Sequence, residues 1–342
     1  MASPKDFKIN NFDLLRLLAA TQVVFDHYFQ HLNISLTQAQ RGWLYLLPGV
    51  PVFFIISGYL ISASYERNDN LMIYFKNRIL RIFPGLWACV ILTIIVFTFT
   101  GTSFFNRQAL SWLPAQFIGL IYTPSFLADY GIGSYNGSLW TIPIELQFYF
   151  LVPVCYLALP KRKMNFFIVG LLIVFILLNM GYQLLEFSPF NKKLLEYSFV
   201  PHFYLFLGGV LLQRLKIYNS SLVYNKGIFW LPFYIIFSLW VYKYINPAFF
   251  LICKSAVLSV TLISLAYTIP DLARRLLKTN DISYGIYMYH GLILTVLVQM
   301  KWIEHFNVFT ILLLSCLLGF LSWYLVEKPF IKRKEKSIKA TL

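Results

Sequence analysis

Four ionisable residues lie within the first apolar segment of the chain, an environment that normally excludes charge. They are Asp13, Arg16, Asp26 and His27 in the stretch DLLRLLAATQVVFDH. Arg16 and His27 are 11 residues apart, so a helix would place them on one face about 16 Å apart. Asp13 is one turn before Arg16 and is predicted to pair with it. Histidine titrates near neutral pH, which makes His27 a candidate general base.

A buried carboxylate is predicted in a later apolar segment, NGSLWTIPIELQFYF, at Glu145. If the two segments cross a membrane in opposite directions, Glu145 and His27 lie at a similar depth. A carboxylate in hydrocarbon needs a partner, and a carboxylate that orients a histidine is a common general-base arrangement. We therefore predict that Glu145 orients His27. Transporters also bury His–Glu pairs, so the pair alone does not separate an enzyme from a transporter.

Arg78 and Arg81 lie in YERNDNLMIYFKNRILRIFP, a stretch between two apolar segments. Its apolar residues recur at helical spacing, which predicts an amphipathic helix along the inner membrane surface. The two arginines are three residues apart, on one helix face, and are predicted to bind a phosphate together. The alternative is that they anchor the chain to anionic lipids.

The composition indicates that the surroundings of these residues are mostly hydrocarbon. Of 342 residues, 58% are hydrophobic and 13% charged, whereas about 25% are charged in ordinary soluble proteins. Ten apolar segments approach the length of about 20 residues that a membrane span requires. We predict an all-α, polytopic membrane helix bundle with spans at 12–30, 44–64, 83–101, 138–159, 164–185, 199–213, 228–245, 248–269, 282–300 and 306–326.

The basic residues give this bundle an orientation. The net charge is +15, but the Lys and Arg residues form short clusters between apolar segments, so membrane loops explain them better than a nucleic-acid partner. With both termini cytoplasmic, 21 of the 29 Lys and Arg residues lie inside and 6 outside. The aromatic connection 102–137 is predicted to be external, either interfacial or re-entrant. The four cysteines lie in apolar segments without metal-ligand spacing, and no metal site is predicted.

Six sequence blocks, in this order, resemble the integral-membrane acyltransferase 3 family over nearly the whole chain. The blocks are Arg16 with His27 eleven residues later, VPVFFIISGYLI at 50–61, Arg78-Ile79-Leu80-Arg81 with Phe83-Pro84, SLWTIPIELQFYF at 138–150, SYGIYMYH at 283–290 and Val326-Glu327-Lys328-Pro329-Phe330. The resemblance implies one transmembrane acyltransferase domain over 1–330, followed by a basic cytoplasmic tail at 331–342.

The resemblance also implies an activity. Such a protein transfers an acetyl group from cytoplasmic acetyl-CoA, a co-substrate, to a hydroxyl of a lipid-linked or cell-surface carbohydrate such as O-antigen. It would do so in the bacterial inner membrane, in contact with lipids and without a permanently bound cofactor. The expected catalytic residues are His27, Glu145, Arg16 and Asp13. The expected acyl-CoA site comprises Arg78, Arg81 and Arg16, and the expected acceptor site Ser138, Trp140 and His290.

A proton-coupled transporter of a small metabolite or lipid-linked sugar is the alternative function. It would use Asp13, Arg16, His27 and Glu145 as a proton relay. The chain lacks the paired halves and repeated broken helices that are common in transporters. The Arg78–Arg81 pair also has no role in such a relay, so the sequence favours the enzyme. Direct attack on the donor and a route through an acyl-His27 intermediate both remain open.

Overall fold

A computed structural model describes residues 10–278 and 280–332 of the chain. It is 76% helical, with no strand among the described residues, which confirms the all-α class. The α-helices are α1 Phe12–His31, α2 Gln38–Leu44, α3 Gly49–Arg67, α4 Leu71–Phe99, α5 Arg107–Phe117, α6 Thr141–Ala158, α7 Met164–Leu184, α8 Pro189–Glu196, α9 Phe203–Arg214, α10 Gly227–Trp240, α11 Pro247–Ala266, α12 Leu272–Leu277, α13 Ser283–Gln299 and α14 Val308–Ser322.

Each of the ten predicted spans overlaps one of these helices, and within the described ranges six stretches are long and apolar enough to cross a membrane. These are Gln38–Arg67, Leu71–Phe99, Gly137–Ala158, Met164–Leu184, Pro247–Ala266 and Val308–Lys332. Shorter apolar helices cover Phe203–Arg214 and Gly227–Lys243. The chain is therefore a polytopic membrane protein. The total of ten spans and the cytoplasmic side of both termini stay predictions, and residues 333–342 of the predicted tail lie outside the described residues.

The predicted surface helix around Arg78 and Arg81 is not a separate element. It forms the first part of α4, which continues through Pro84 to Phe99. Proline is tolerated inside membrane helices because neighbouring groups satisfy the freed carbonyl. The amphipathic periodicity correctly indicated a helix, but it carried no signal for where that helix ends.

The connection 102–137 contains only short helices, since α5 has 11 residues and a turn of 3-10 helix covers Ser125–Leu127. Both are too short to span a membrane. Aromatic packing holds the segment together. Trp112 is fully buried and donates its indole N–H to the carbonyl of Tyr122 at 2.9 Å, and Tyr130 stacks on Phe97 with ring centroids 3.9 Å apart. This packing explains why the connection is so aromatic.

The chain forms two compact units. The described residues of Met1–Ala19, Thr37–Leu71 and Gln147–Thr279 make up the first unit, and those of Ala20–Leu36, Met72–Leu146 and Asn280–Leu342 the second.

Close contact between α3 and α9 forms the centre of the first unit. A Cβ atom on Gly58 would lie 2.0 Å from the carbonyl oxygen of Phe206, and one on Gly209 would lie 2.1 Å from that of Ile55. Small residues let helix backbones approach closely, which is a main source of helix association in lipid. The glycine in the SGYLI part of the second sequence block therefore has a packing function.

A polar network joins four helices of the first unit near the end of α3. Glu66 forms an ion pair with Arg214, and it accepts hydrogen bonds from Tyr156 at 3.0 Å and Gln213 at 3.1 Å. Arg214 also donates to Asn165 at 2.6 Å. The network ties α3, α6, α7 and α9 together, because each charge in it has a partner.

We predict that Gly58→Ala destabilises the protein by about 1–3 kcal/mol, because the added methyl overlaps the backbone of α9. Thermal unfolding of the detergent-purified protein would measure the change. Gly170→Ala, on α7, is the matched control, since a Cβ atom there meets nothing within 4 Å. Equal melting temperatures for the two variants would contradict the close packing.

Candidate active site

Two histidines of the second unit form a hydrogen-bonded pair. Nε2 of His290 on α13 lies 3.0 Å from Nδ1 of His27 on α1, with ring centroids 4.9 Å apart. The other nitrogen of His290, Nδ1, lies 3.1 Å from the carbonyl oxygen of Ile286. His290 is fully buried, whereas His27 is only half-buried.

These contacts determine where the protons of the neutral pair lie. A carbonyl oxygen only accepts hydrogen bonds, so Nδ1 of His290 carries a proton and Nε2 of His290 is an acceptor. Nδ1 of His27 therefore donates to it, and Nε2 of His27 holds the lone pair. This nitrogen has no hydrogen-bond partner among the described residues. The arrangement gives His27 one oriented and unprotonated nitrogen, as a general base requires.

Other aromatic and polar side chains surround the pair. The ring of His31 meets His27 edge-on at 5.3 Å, and Tyr287 meets His290 at 5.9 Å. The Tyr287 hydroxyl lies 2.8 Å from the hydroxyl of Thr141 at the start of α6. Asp26 accepts a hydrogen bond from Gln30 at 2.8 Å. Helices α1, α6 and α13 thus each supply polar groups to this region of the second unit.

The structure places His290, and not Glu145, next to Nδ1 of His27, so the orienting role of Glu145 stays a prediction. His290 occupies Nδ1 of His27, and no hydrogen bond or ion pair joins Glu145 to His27 in the described ranges. Glu145 lies one turn after Thr141 and interacts electrostatically with the Tyr287 hydroxyl. The sequence indicated only that Glu145 and His27 lie at a similar depth. In the structure, the residue next to His27 is His290 of α13.

Ser138 and His290, two of the three predicted acceptor-binding residues, have structural contacts instead. Ser138 is fully buried, and its hydroxyl lies 2.6 Å from Oδ1 of Asn136 and 3.2 Å from the carbonyl oxygen of Met288. Asn136 donates to the same carbonyl at 2.9 Å. A Cβ atom on Gly291 would lie 2.2 Å from Oδ1 of Asn136. The absence of a side chain at Gly291 therefore leaves room for the turn that begins at Asn136. The predicted contact of Ser138 and His290 with the acceptor stays a prediction.

The remaining predicted residues are placed as follows. Trp140, half-buried at the end of the 3-10 turn Gly137–Trp140, stays a predicted acceptor contact. Asp13 and Arg16 belong to the first unit, where an ion pair of 3.4 Å confirms their predicted pairing. Their roles in catalysis stay predictions.

The two arginines of α4 have different surroundings in the second unit. Arg81 forms an ion pair with Asp281, which also accepts hydrogen bonds from the hydroxyl and the N–H of Ser283. The guanidinium of Arg78 lies over the ring of Tyr74, 5.7 Å from its centroid. Arg81 is therefore held by a carboxylate of the protein, which competes with any phosphate for this guanidinium.

A second carboxylate, Glu327, acts on the same arginine. Glu327 lies in the π-helical turn Trp323–Glu327 after α14 and is 1% exposed. Its Oε1 accepts a hydrogen bond from Ser322 at 2.9 Å, and its charge interacts with Arg81 and Asp281. Sequence reasoning missed both carboxylates, although Asp281 lies two residues before the SYGIYMYH block and Glu327 lies in the last block. The signal available in the sequence was the presence of acidic residues in or near these blocks, within apolar segments.

No cluster of three or more His, Cys, Asp or Glu side chains suited to a metal ion occurs among residues 10–278 and 280–332.

Comparisons with known proteins agree with the family resemblance of the six sequence blocks. A family profile described as Acyltransferase domain (Acyl_transf_3) matches residues 9–328. Nodulation protein 10 of Rhizobium leguminosarum bv. viciae is 29% identical, over 94% of this chain and 93% of that protein. The O-acetyl transferase of Shigella phage Sf6 is 29% identical, over 97% of this chain and 98% of that protein. The peptidoglycan O-acetyltransferase OatA of Listeria monocytogenes is 27% identical, over 46% of this chain and 25% of that protein. No solved structure matches.

We predict that Asp281→Ala destabilises the protein by about 3 kcal/mol, because it leaves the partly buried Arg81 without its counterion. Thermal unfolding in detergent would show this loss. The double variant Asp281→Ala/Arg81→Ala should lose less stability than the sum of the losses in the two single variants, since the two groups interact directly.

Asp271→Asn is the control for this prediction, because asparagine tolerates the positive φ of 66° that this residue adopts. Its pair with Arg274 spans 4.0 Å and is exposed, so its removal should change stability by less than about 1 kcal/mol. If the Asp271 and Asp281 variants have the same melting temperature, the buried ion pair does not stabilise the protein as inferred.

Proposed function

Since this chain belongs to the acyltransferase 3 family of integral-membrane proteins, we propose that it is an O-acetyltransferase that moves an acetyl group from acetyl-CoA to a carbohydrate hydroxyl. The names of the phage and Listeria relatives support acetyl as the transferred group. The Listeria name also supports a glycan as the acceptor. The observation that carries the proposal is the oriented histidine pair, which leaves Nε2 of His27 without a hydrogen-bond partner among the described residues.

His27 accepts the proton of the acceptor hydroxyl in this proposal. A sugar hydroxyl has a pKa far above 7 and is a poor nucleophile unless a base removes its proton in the transition state. As the proton moves to Nε2 of His27, the hydroxyl oxygen attacks the thioester carbonyl carbon. The carbon–sulfur bond then breaks, and the sulfur leaves with the proton from His27. An ester of the acceptor and free CoA are the products.

His290 is the positioning residue for this base. The imidazolium of His27 keeps its Nδ1–H hydrogen bond to Nε2 of His290, while the Ile286 carbonyl holds the His290 ring in the accepting tautomer. This is the part that an aspartate plays in a Ser–His–Asp triad. A neutral acceptor suits a buried site, because it adds no second charge that would have to be desolvated. Glu145 is a neighbour of Tyr287 in this scheme.

We propose that the donor's phosphates bind near Arg78. Its guanidinium has a planar fork of donors that suits phosphate oxygens, and it lies over an aromatic ring that orients it. Arg81 contributes through its ion pair with Asp281, which fixes the neighbouring turn of α4. Replacement of Arg78 is therefore expected to weaken donor binding, whereas replacement of Arg81 is expected to lower stability.

His27→Ala should abolish transfer, because loss of the base costs typically 10²–10⁴-fold in rate. His290→Ala should lower kcat nearly as far while the KM values for both substrates hold. The double variant should be scarcely worse than either single variant, since the residues act as a unit. The assay is mass spectrometry of polysaccharide from cells that carry each variant, followed for one acetyl mass increment. Glu145→Gln is the comparison, and a larger loss there than in His290→Ala would restore Glu145 as the orienting residue.

Arg78→Lys should weaken CoA binding about 10- to 100-fold at unchanged thermal stability, because an ammonium cannot make the paired contacts of a guanidinium. Arg81→Lys should mainly lower the melting temperature. Calorimetric titration of detergent-purified variants with CoA and dephospho-CoA would measure the first effect. Arg78→Lys with normal CoA affinity would place the donor's phosphates elsewhere.

A further inference from the structure

Lys328 directly follows the π-helical turn Trp323–Glu327, and the proposed chemistry does not use it. Its ammonium donates to Oδ1 of Asn280 at 3.0 Å and lies over the ring of Tyr324, 4.5 Å from the ring centroid. Both of these partners are neutral. No ion pair joins Lys328 to a carboxylate in the part of the chain that the structure describes. The described residues therefore hold this positive charge in place without neutralising it.

The partners of Lys328 are themselves held by neighbouring side chains. Oδ1 of Asn280 also accepts the indole N–H of the buried Trp323 at 3.0 Å. The ring of Tyr324 packs against Phe320, one turn earlier, with ring centroids 4.5 Å apart. An ammonium has three N–H donors, and the hydrogen bond to Asn280 uses one of them. The remaining donors can bind the oxygens of an anionic ligand.

Lys328 lies beside the arginines of α4, within the second unit. Asn280, its hydrogen-bond partner, directly precedes Asp281, which forms the ion pair with Arg81. Arg78 lies one helical turn before Arg81 on α4. The Arg81–Asp281 pair therefore connects Arg78 to Lys328, and one cluster of side chains holds a guanidinium and an ammonium at separate positions.

Coenzyme A carries its negative charge at two separate positions. A diphosphate links the pantetheine arm to the adenosine, and a phosphate monoester lies on the 3′ oxygen of the ribose. Because the ribose separates these groups, one cation does not contact both well. The planar fork of a guanidinium suits the several oxygens of a diphosphate, whereas an ammonium is a compact point charge that suits a single phosphate group.

We propose that Lys328 binds the 3′-phosphate of CoA and makes the enzyme selective for CoA over dephospho-CoA. This inference rests on the proposed function, in which the donor's phosphates bind near Arg78, and it assigns the diphosphate to Arg78. Lysines at the ends of membrane helices commonly extend to lipid phosphates. Here the ammonium is instead held against Asn280 and Tyr324, beside the arginine that is proposed to bind the donor.

The test compares binding of CoA and dephospho-CoA to detergent-purified variants by calorimetric titration. Wild type should bind CoA at least about tenfold more tightly than dephospho-CoA. Lys328→Gln should remove this preference by weakening the binding of CoA alone, because only CoA carries the 3′-phosphate. Arg78→Lys should weaken the binding of both ligands by a similar factor and keep the preference.

Two further variants control for net charge and for folding. Lys332→Gln removes the same charge from an exposed residue four positions further on, and it should bind both ligands like wild type. Asn280→Asp keeps the shape of the side chain but places a carboxylate against the ammonium of Lys328. It should also lower the preference for CoA, so it tests the proposal if Lys328→Gln does not fold.

Three results would overturn the assignment of the 3′-phosphate. Wild type could bind both ligands equally, the Lys328→Gln and Asn280→Asp variants could keep the preference for CoA, or Lys328→Gln could weaken both ligands by the same factor. If wild type acetylates polysaccharide but binds both ligands equally, only this inference fails. If wild type binds neither ligand, the proposed donor fails as well.

Titration in lipid nanodiscs separates CoA from a lipid headgroup as the source of the phosphate. In phosphatidylcholine nanodiscs, wild type should show the same preference for CoA as in detergent. Added phosphatidylglycerol should leave this preference unchanged. If phosphatidylglycerol removes the preference, Lys328 binds lipid phosphate and the proposal is wrong.

Discussion

The hydrogen bond between His290 and His27 is the interaction on which the candidate active site depends. A polar side chain surrounded by hydrocarbon needs a hydrogen-bond partner, because no water is available to replace it. His290 satisfies both ring nitrogens, one with the Ile286 carbonyl and one with His27. That geometry fixes the tautomer of each ring, and the tautomers in turn leave a single lone pair on Nε2 of His27. The chemistry proposed for the chain follows from this one orientation.

Close backbone packing makes the position of His290 possible. Helix α13 is buried over most of its length, and its glycines let neighbouring segments come near. A Cβ atom on Gly285 would lie 2.6 Å from the Cα atom of Gly319 on α14, and Gly291 admits the turn that contains Asn136. Small residues at helix contacts are the usual route to tight packing in lipid, where the hydrophobic effect between helices is absent. The histidine is thus held by the fold rather than by one local contact.

The buried charged side chains of the second unit are also held by partners within the fold. Arg81, Asp281 and Glu327 come from three of the six sequence blocks or from directly beside them, and they interact with one another. Each buried charge is compensated by another or by a hydroxyl, which limits the cost of removing it from water. Compensated charge of this kind indicates a structural or positioning function.

The sequence by itself determined the all-helical membrane class, the positions of the apolar helices and the family, and it indicated His27 as the candidate base. These properties depend on composition, on periodicity and on residues close together in the chain, such as the Asp13–Arg16 pair. Only the tertiary structure decided that His290 rather than Glu145 meets His27, that Ser138 is buried, and that Arg81 is paired with Asp281. The physical reason is that a helix pattern specifies the face and depth of a side chain. It carries no information on which helix lies against that face, and in lipid this is settled by small-residue contacts and polar pairing over long sequence separations.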